Sequence, residues 1–111
     1  MWRRDQIVFR VREDLSEGEV VTLQILTPAG VVQIMGEPED IGRRLMVRAV
    51  HLHAARPRAI GAANLGVIAQ ALMQRFDYDE VIVEGARREG GLGAGRFPRR
   101  IRYRRRAEPA A

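Results

Sequence analysis

The sequence has no cysteine, no lysine and no long apolar run, and it holds only two histidines. Without cysteine, neither a disulfide framework nor thiolate ligation of a metal is available, so stability has to come from packing. Charged residues run through the N-terminal MWRRDQIVFRVRED, where a secretory signal needs an apolar centre, and no stretch reaches the length of a membrane-spanning helix. The chain is therefore expected to be soluble, with no signal peptide and no membrane contact. Aromatic residues make up 5% of the chain. Trp2, Phe9, Phe76, Tyr78, Phe97 and Tyr103 do not alternate with basic residues as they do in an RNA-recognition stacking platform, which argues against that mode of base binding.

What is present is arginine, unevenly placed. A chain of 111 residues makes one domain, expected over residues 1–106 with a frayed tail at 107–111. Residues 1–42 hold four arginines against eight carboxylates, and residues 43–111 hold fifteen against six. A net charge of +5 thus conceals an acidic first part and a strongly basic second part, the distribution expected of a phosphate binder. The use of Arg rather than Lys suits planar, bidentate phosphate contacts, and an Arg-favouring genome explains it equally well.

QIVFRV (6–11), EVVTLQIL (19–26) and GVVQIMG (30–36) read as strands, rich in β-branched residues and separated by turn residues. Pro28 and Gly30 predict a hairpin between the last two. GEPEDIG (36–42) reads as a breaker, with room for one helical turn begun by Pro38. RRLMVRAVHLHA (43–54) carries apolar residues at both parities, as a strand covered on each side would. Ile60, Asn64, Ile68, Leu72 and Phe76 recur four apart beside Leu65, Ala69 and Met73, which predicts a helix over 58–76. VIVEG then returns parallel to a neighbouring strand, and RRIRYR (99–104) is the last strand. The expected fold is α+β: a single twisted, mostly antiparallel sheet of about five or six strands with one principal helix packed on it.

Nine arginines fall within residues 87–106. In a strand, Arg100, Arg102 and Arg104 share one face while Ile101 and Tyr103 point to the core, and such a row can follow a phosphate backbone. Arg87, Arg88 and Arg96 sit in the glycine-rich EGARREGGLGAGRFP, whose amides can cradle an anion but which lacks the Gly-Lys-Ser/Thr and following helix of a phosphate loop. His51 and His53 lie two apart, on one face of a strand end. Three readings stay open for them: a metal pair completed by Glu84, a general acid/base on RNA with Glu84 as opposing group or orienter, or a core residue and a solvated one. Strand ends leading into a helix are where sheets of this kind gather ligands.

EGARREGGLGAGRFPRRIRY resembles the EGA-R-x-TTGANPGR-P-x-x-(I/F)RF ending of C-terminal toxin domains in bacterial polymorphic-toxin and Rhs-type proteins, and VHLHAARPRAIGAANLG is similar to the segment that carries their histidine. The resemblance covers residues 51–103 and departs at Glu89-Gly90, where the pattern has two threonines, and at Gly93-Ala94. It implies a small nuclease of the barnase-, colicin- and RelE-like ribonuclease group, acting on RNA without a metal or other cofactor. The pattern is met at His51, Glu84, Arg87, Gly91, Gly95, Arg96, Pro98 and Arg102; taken together with the spacing above, His51, Glu84, Arg87 and Arg96 would be catalytic, and His53, Arg88, Arg100, Arg102 and Arg104 would bind substrate. It also implies RNA as partner, transfer or ribosomal RNA included, an acidic immunity protein, and a cytoplasmic site of action after delivery within a secreted toxin. Two other readings remain: a non-catalytic module that binds nucleic acid or an acidic partner through the arginines, and a self-associating protein whose acidic half covers the basic half of another copy.

Overall fold

The β-branched runs and the single apolar helical stripe are assembled, in the computed structural model, into one mixed six-stranded sheet with one principal helix on it. The structure describes residues 1–55, 60–85 and 100–107. In chain order the strands are β1 (Val8–Val11), β2 (Val21–Thr27), β3 (Gly30–Ile41), β4 (Arg44–Ala54), β5 (Glu80–Gly85) and β6 (Arg100–Arg104), and the sheet keeps that order in space. All neighbours are antiparallel except β4 and β5, which the helix α1 (Gly61–Phe76) connects in parallel.

The helix covers one face of the sheet. Ile68, Ala69, Ala71 and Met73 are its buried residues; Ile68 and Ala71 join Ile25 and Val32, and Ala69 and Met73 join Val81. Phe9 of β1 meets Phe76 edge-to-face at 5.9 Å. The helix stops at Asp77, in the left-handed region at φ 61°, whose N–H donates to the Met73 carbonyl. Arg43, Asp77, Asp79 and Arg105 then form an exposed ion-pair cluster: Arg43 Nε lies 2.7 Å from Asp79 and its Nη2 3.2 Å from Asp77, while Arg105 reaches Asp77 at 2.9 Å. This cluster ties the β3–β4 turn to the end of the helix.

GEPEDIG does not break the sheet. β3 runs on to Ile41, and the reversal comes at Gly42-Arg43, with Gly42 at φ 63°. The glycine at 36 answers a different need. Met35 pairs with His51 and Glu37 with Arg48, so β4 holds one more residue than β3 across this step; the β5 pairing, Val47 with Val83 and Val50 with Gly85, shows the same surplus. This is a β-bulge in β4, with Ala49 at φ 54°. Gly36 sits against two valines at once, and a Cβ there would lie 2.6 Å from Val47 Cγ1 and 3.2 Å from Val50 Cγ2.

The bulge also corrects the expectation that β4 is covered on both faces. Leu45 and Val47 face the helix side in register with Val81 and Val83; after the extra residue, Leu52 and Ala54 face it in register with Ile34 and Val32. Apolar residues at both parities are therefore one apolar face interrupted by a parity switch.

Two substitutions with opposite effects test this geometry. Gly36→Ala is expected to destabilise by about 1–3 kcal/mol, since valine side chains are stiff, and Val47→Ala in the same chain to recover part of the loss. Ala49→Gly removes the left-handed strain and is expected to stabilise by roughly 0.5–1 kcal/mol. Urea unfolding midpoints measure both, and equal midpoints for wild type and Gly36→Ala would refute the steric role.

Candidate nucleic-acid interface on the open sheet face

Strand alternation assigns every residue of this face. Because Phe9, Ile25, Val32 and Val81 point into the core, their neighbours in sequence point away from the helix, onto a face that α1 leaves uncovered. Within β4, strict alternation from Leu45 and Val47 would send His51 and His53 to the helix side. The extra residue at Ala49 turns both to the open face, where His51 stands directly across from Met35 and His53 from Gln33. Both are exposed.

Alternation in β5 and β6 brings the other predicted groups to that face. Glu84, Ile82 and Glu80 are in register with Arg100, Arg102 and Arg104, while Ile101 and Tyr103 are turned inward and more buried. His51 and Glu84 lie near the C-terminal ends of the parallel pair, with Glu84 beside the bulge and His51 beyond it. The structure thus gathers His51, His53, Glu84, Arg100, Arg102 and Arg104 on one surface. Arg87, Arg88 and Arg96, with the glycine-rich turn around them, lie outside the described residues.

The local contacts are not those of an isolated basic row. Glu84 accepts a hydrogen bond from Arg100 at 3.0 Å. Glu80, whose side chain keeps only 16% of its exposure, has Arg102 Nε at 2.8 Å and Arg44 Nε at 3.7 Å from Oε1. Glu80 Oε1 is buried beside these two cations without a hydrogen bond among the described residues, so their interaction with it is chiefly coulombic. Arg48 bonds Glu39 at 2.6 Å. Across β3–β6 the open face therefore sets Arg44, Arg48, Arg100, Arg102 and Arg104 against Glu37, Glu39, Glu80 and Glu84. Among the described residues Arg104 makes no side-chain ion pair, and neither His51 nor His53 makes a side-chain hydrogen bond. No three His, Asp or Glu side chains converge as metal ligands among the described residues.

Sequence reasoning missed Arg44, Arg48 and Glu80. Glu80 and Glu84 stand four apart, and that even spacing on a strand was the available signal that they share a face with each other and with the row on β6.

The position of β6 is fixed from behind. Gln70 of α1 donates through Nε2 to the Arg104 carbonyl at 2.8 Å and accepts at Oε1 from the Arg106 N–H at 2.8 Å. Arg4 donates to the Arg106 and Ala107 carbonyls, and the Arg105 N–H donates to Asp79 O at 2.8 Å.

The ion-pair cluster at the far end of β4 and β5 gives this surface an acid limit. Hydrogen bonds from Arg43 hold the Asp79 carboxyl below its ordinary value, and Arg43 followed by Arg105 does the same for Asp77. Lowered carboxylate pKa values contribute stability above the unfolded value of 3.8, and that contribution disappears as pH falls from there through the folded values. Wild type is therefore expected to lose more Tm than Arg43→Gln as pH drops below 3.8, and parallel Tm–pH curves would remove the cluster from the account. Compared with known proteins, the chain matches no family model and none of the curated proteins.

Proposed function

We propose that this protein is a small RNA-acting domain whose substrate lies across the open sheet face, and that it cleaves phosphodiester bonds there without a metal. The observation that carries the reading is the bulge at Ala49, which places both histidines on the face that holds Glu84 and the β6 arginines. In the proposed reaction His51 takes the proton of a ribose 2′-hydroxyl, whose oxygen forms the new bond to phosphorus as the bond from phosphorus to the 5′-oxygen breaks. Glu84, released as Arg100 turns to the phosphate, is the opposing acid/base through which the leaving oxygen takes up a proton. Arg87 and Arg96 clamp the phosphate and hold the charge that develops on its oxygens, and Arg100, Arg102 and Arg104 form the track along which the neighbouring phosphates lie. The likeness of residues 51–103 to polymorphic-toxin endings supports the same reading, with RNA as substrate and an acidic immunity protein as partner.

The arginine–glutamate pairs do not bar phosphate from this face. The more exposed pairs, Arg100–Glu84 and Arg48–Glu39, contribute about 0–1 kcal/mol, and each guanidinium keeps further donors for an incoming oxygen.

One observation favours a second reading, a non-catalytic module that binds nucleic acid or an acidic partner. Glu84 is bonded to Arg100, and the His51 ring has no orienting hydrogen bond among the described residues.

Total RNA incubated in EDTA with wild type and with His51→Ala separates the two. The enzyme reading expects discrete fragments from wild type and a loss of about 10²–10⁴-fold in rate for His51→Ala. Intact RNA with both proteins, together with a gel-retarded complex that salt dissolves, would leave the binding module. Either reading expects Glu80→Gln, which lifts the negative charge between Arg44 and Arg102, to tighten RNA binding and Arg102→Ala to weaken it.

A further inference from the structure

The open face has a second half with a different chemistry. In the register of β1 to β4, Arg10 stands across from Gln24, Gln24 from Gln33, and Gln33 from His53. Four polar side chains thus form one straight row over four adjacent strands, about 14 Å from end to end at ordinary strand spacing. In the β4–β6 half, Arg44, Arg48, Arg100 and Arg102 each have a carboxylate within 4 Å. In the β1–β4 row no member makes a side-chain hydrogen bond or ion pair among the described residues. Arg10 and His53 are exposed and the two glutamines half-buried. On the side of the row away from His51, Val8 and Val31 flank Leu26 in register, and the two valines are each 53% exposed.

We propose that the Arg10–Gln24–Gln33–His53 row is a base-reading subsite that takes the unpaired bases of a single-stranded RNA, with a preference for adenine. The proposal rests on the reading of this face as an RNA platform and adds to it which part of the nucleotide each half receives. Carboxylate-paired arginines at the β4–β6 end exchange their partners for phosphates. The amide row carries no net charge at its two central positions, and its paired donor and acceptor match the N6 and N7 edge of adenine. Unpaired bases present these edges freely, whereas the deep groove of an RNA duplex hides them. Guanidinium and imidazole at the two ends offer flat surfaces on which a base stacks. The apolar row beside them supplies a dry flank. Gln24 and Gln33 are specificity residues here, and the phosphodiester chemistry stays with His51 and Glu84.

The test is fluorescence anisotropy with labelled oligoadenylate, oligocytidylate and oligouridylate, using His51→Ala protein so that the probes stay intact. The expected result is oligoadenylate bound about tenfold more tightly than oligocytidylate. Gln24→Ala/Gln33→Ala is expected to erase that difference by weakening oligoadenylate most, with the salt dependence of binding unchanged. Gln33→Met, which keeps the length of the side chain and adds no charge but removes the amide, should reduce the preference without changing the salt dependence and guards against a folding defect in the double variant. Equal affinity for all probes in the parent protein, or a preference that survives the double variant, would overturn the base-reading assignment while leaving the RNA platform standing. Absence of binding to every probe, or capture of an acidic peptide instead, would overturn the platform itself and the subsite with it.

Discussion

Two valines facing one glycine is the constraint on which the surface of this protein depends. A strand of strict period two has a fixed inside and outside, and a single extra residue exchanges them from that point on. At Ala49 the exchange happens while the apolar face is kept: Leu45 and Val47 before it, Leu52 and Ala54 after it, all on the helix side. What changes is the fate of the polar residues. His51 and His53 would otherwise be directed at the helix, where an imidazole without a partner is costly to bury. With the bulge they join the uncovered face. Gly36 makes room for that step, and its lack of a side chain does in mid-strand what glycine more often does in a turn.

The electrostatics of the open face divide along the same line. The sequence shows a basic second half, but on the described sheet the arginines of β4 and β6 stand beside glutamates of β3 and β5. Six of the arginines, Arg56, Arg58, Arg87, Arg88, Arg96 and Arg99, lie in segments outside the described residues, which together hold two carboxylates. The positive excess of the chain is therefore carried largely by residues outside the described ones. The sheet itself offers a patterned surface: alternating charges at one end, neutral amides at the other. Such a surface presents hydrogen-bonding groups as well as charge.

Much of the fold was legible in the sequence, because its signals are local. The helix follows from a stripe at positions 60, 64, 68 and 72, and the meander from β-branched runs parted by Pro28 and Gly30. The 36–42 segment was misread because Gly36, Pro38 and Gly42 are all turn residues, and only the partner strand reveals that Gly36 accommodates a bulge while Pro38 lies in a strand opposite Val47. β4 was misread for the same reason, since a parity switch and two-sided burial leave the same pattern in one dimension. Of the candidate site, the common face of Arg100, Arg102 and Arg104 was legible in their even spacing. Its ion pairs were not, because they join strands whose register is fixed by the bulge rather than by any short-range motif.

The outer margin of β6 carries a final consequence. A sheet that ends in a bare strand invites another chain to add to it, and the usual defences are charge, brevity or a cover. Here the carboxamide of Gln70 takes the place of a neighbouring peptide group, satisfying the Arg104 carbonyl and the Arg106 N–H together. One side chain thereby acts as a surrogate seventh strand one residue long. An added strand would find the Arg104 carbonyl already occupied, while Arg100, Arg102 and Arg104 stay on the open face, so the cover and the arginine row lie on different sides of the same five residues.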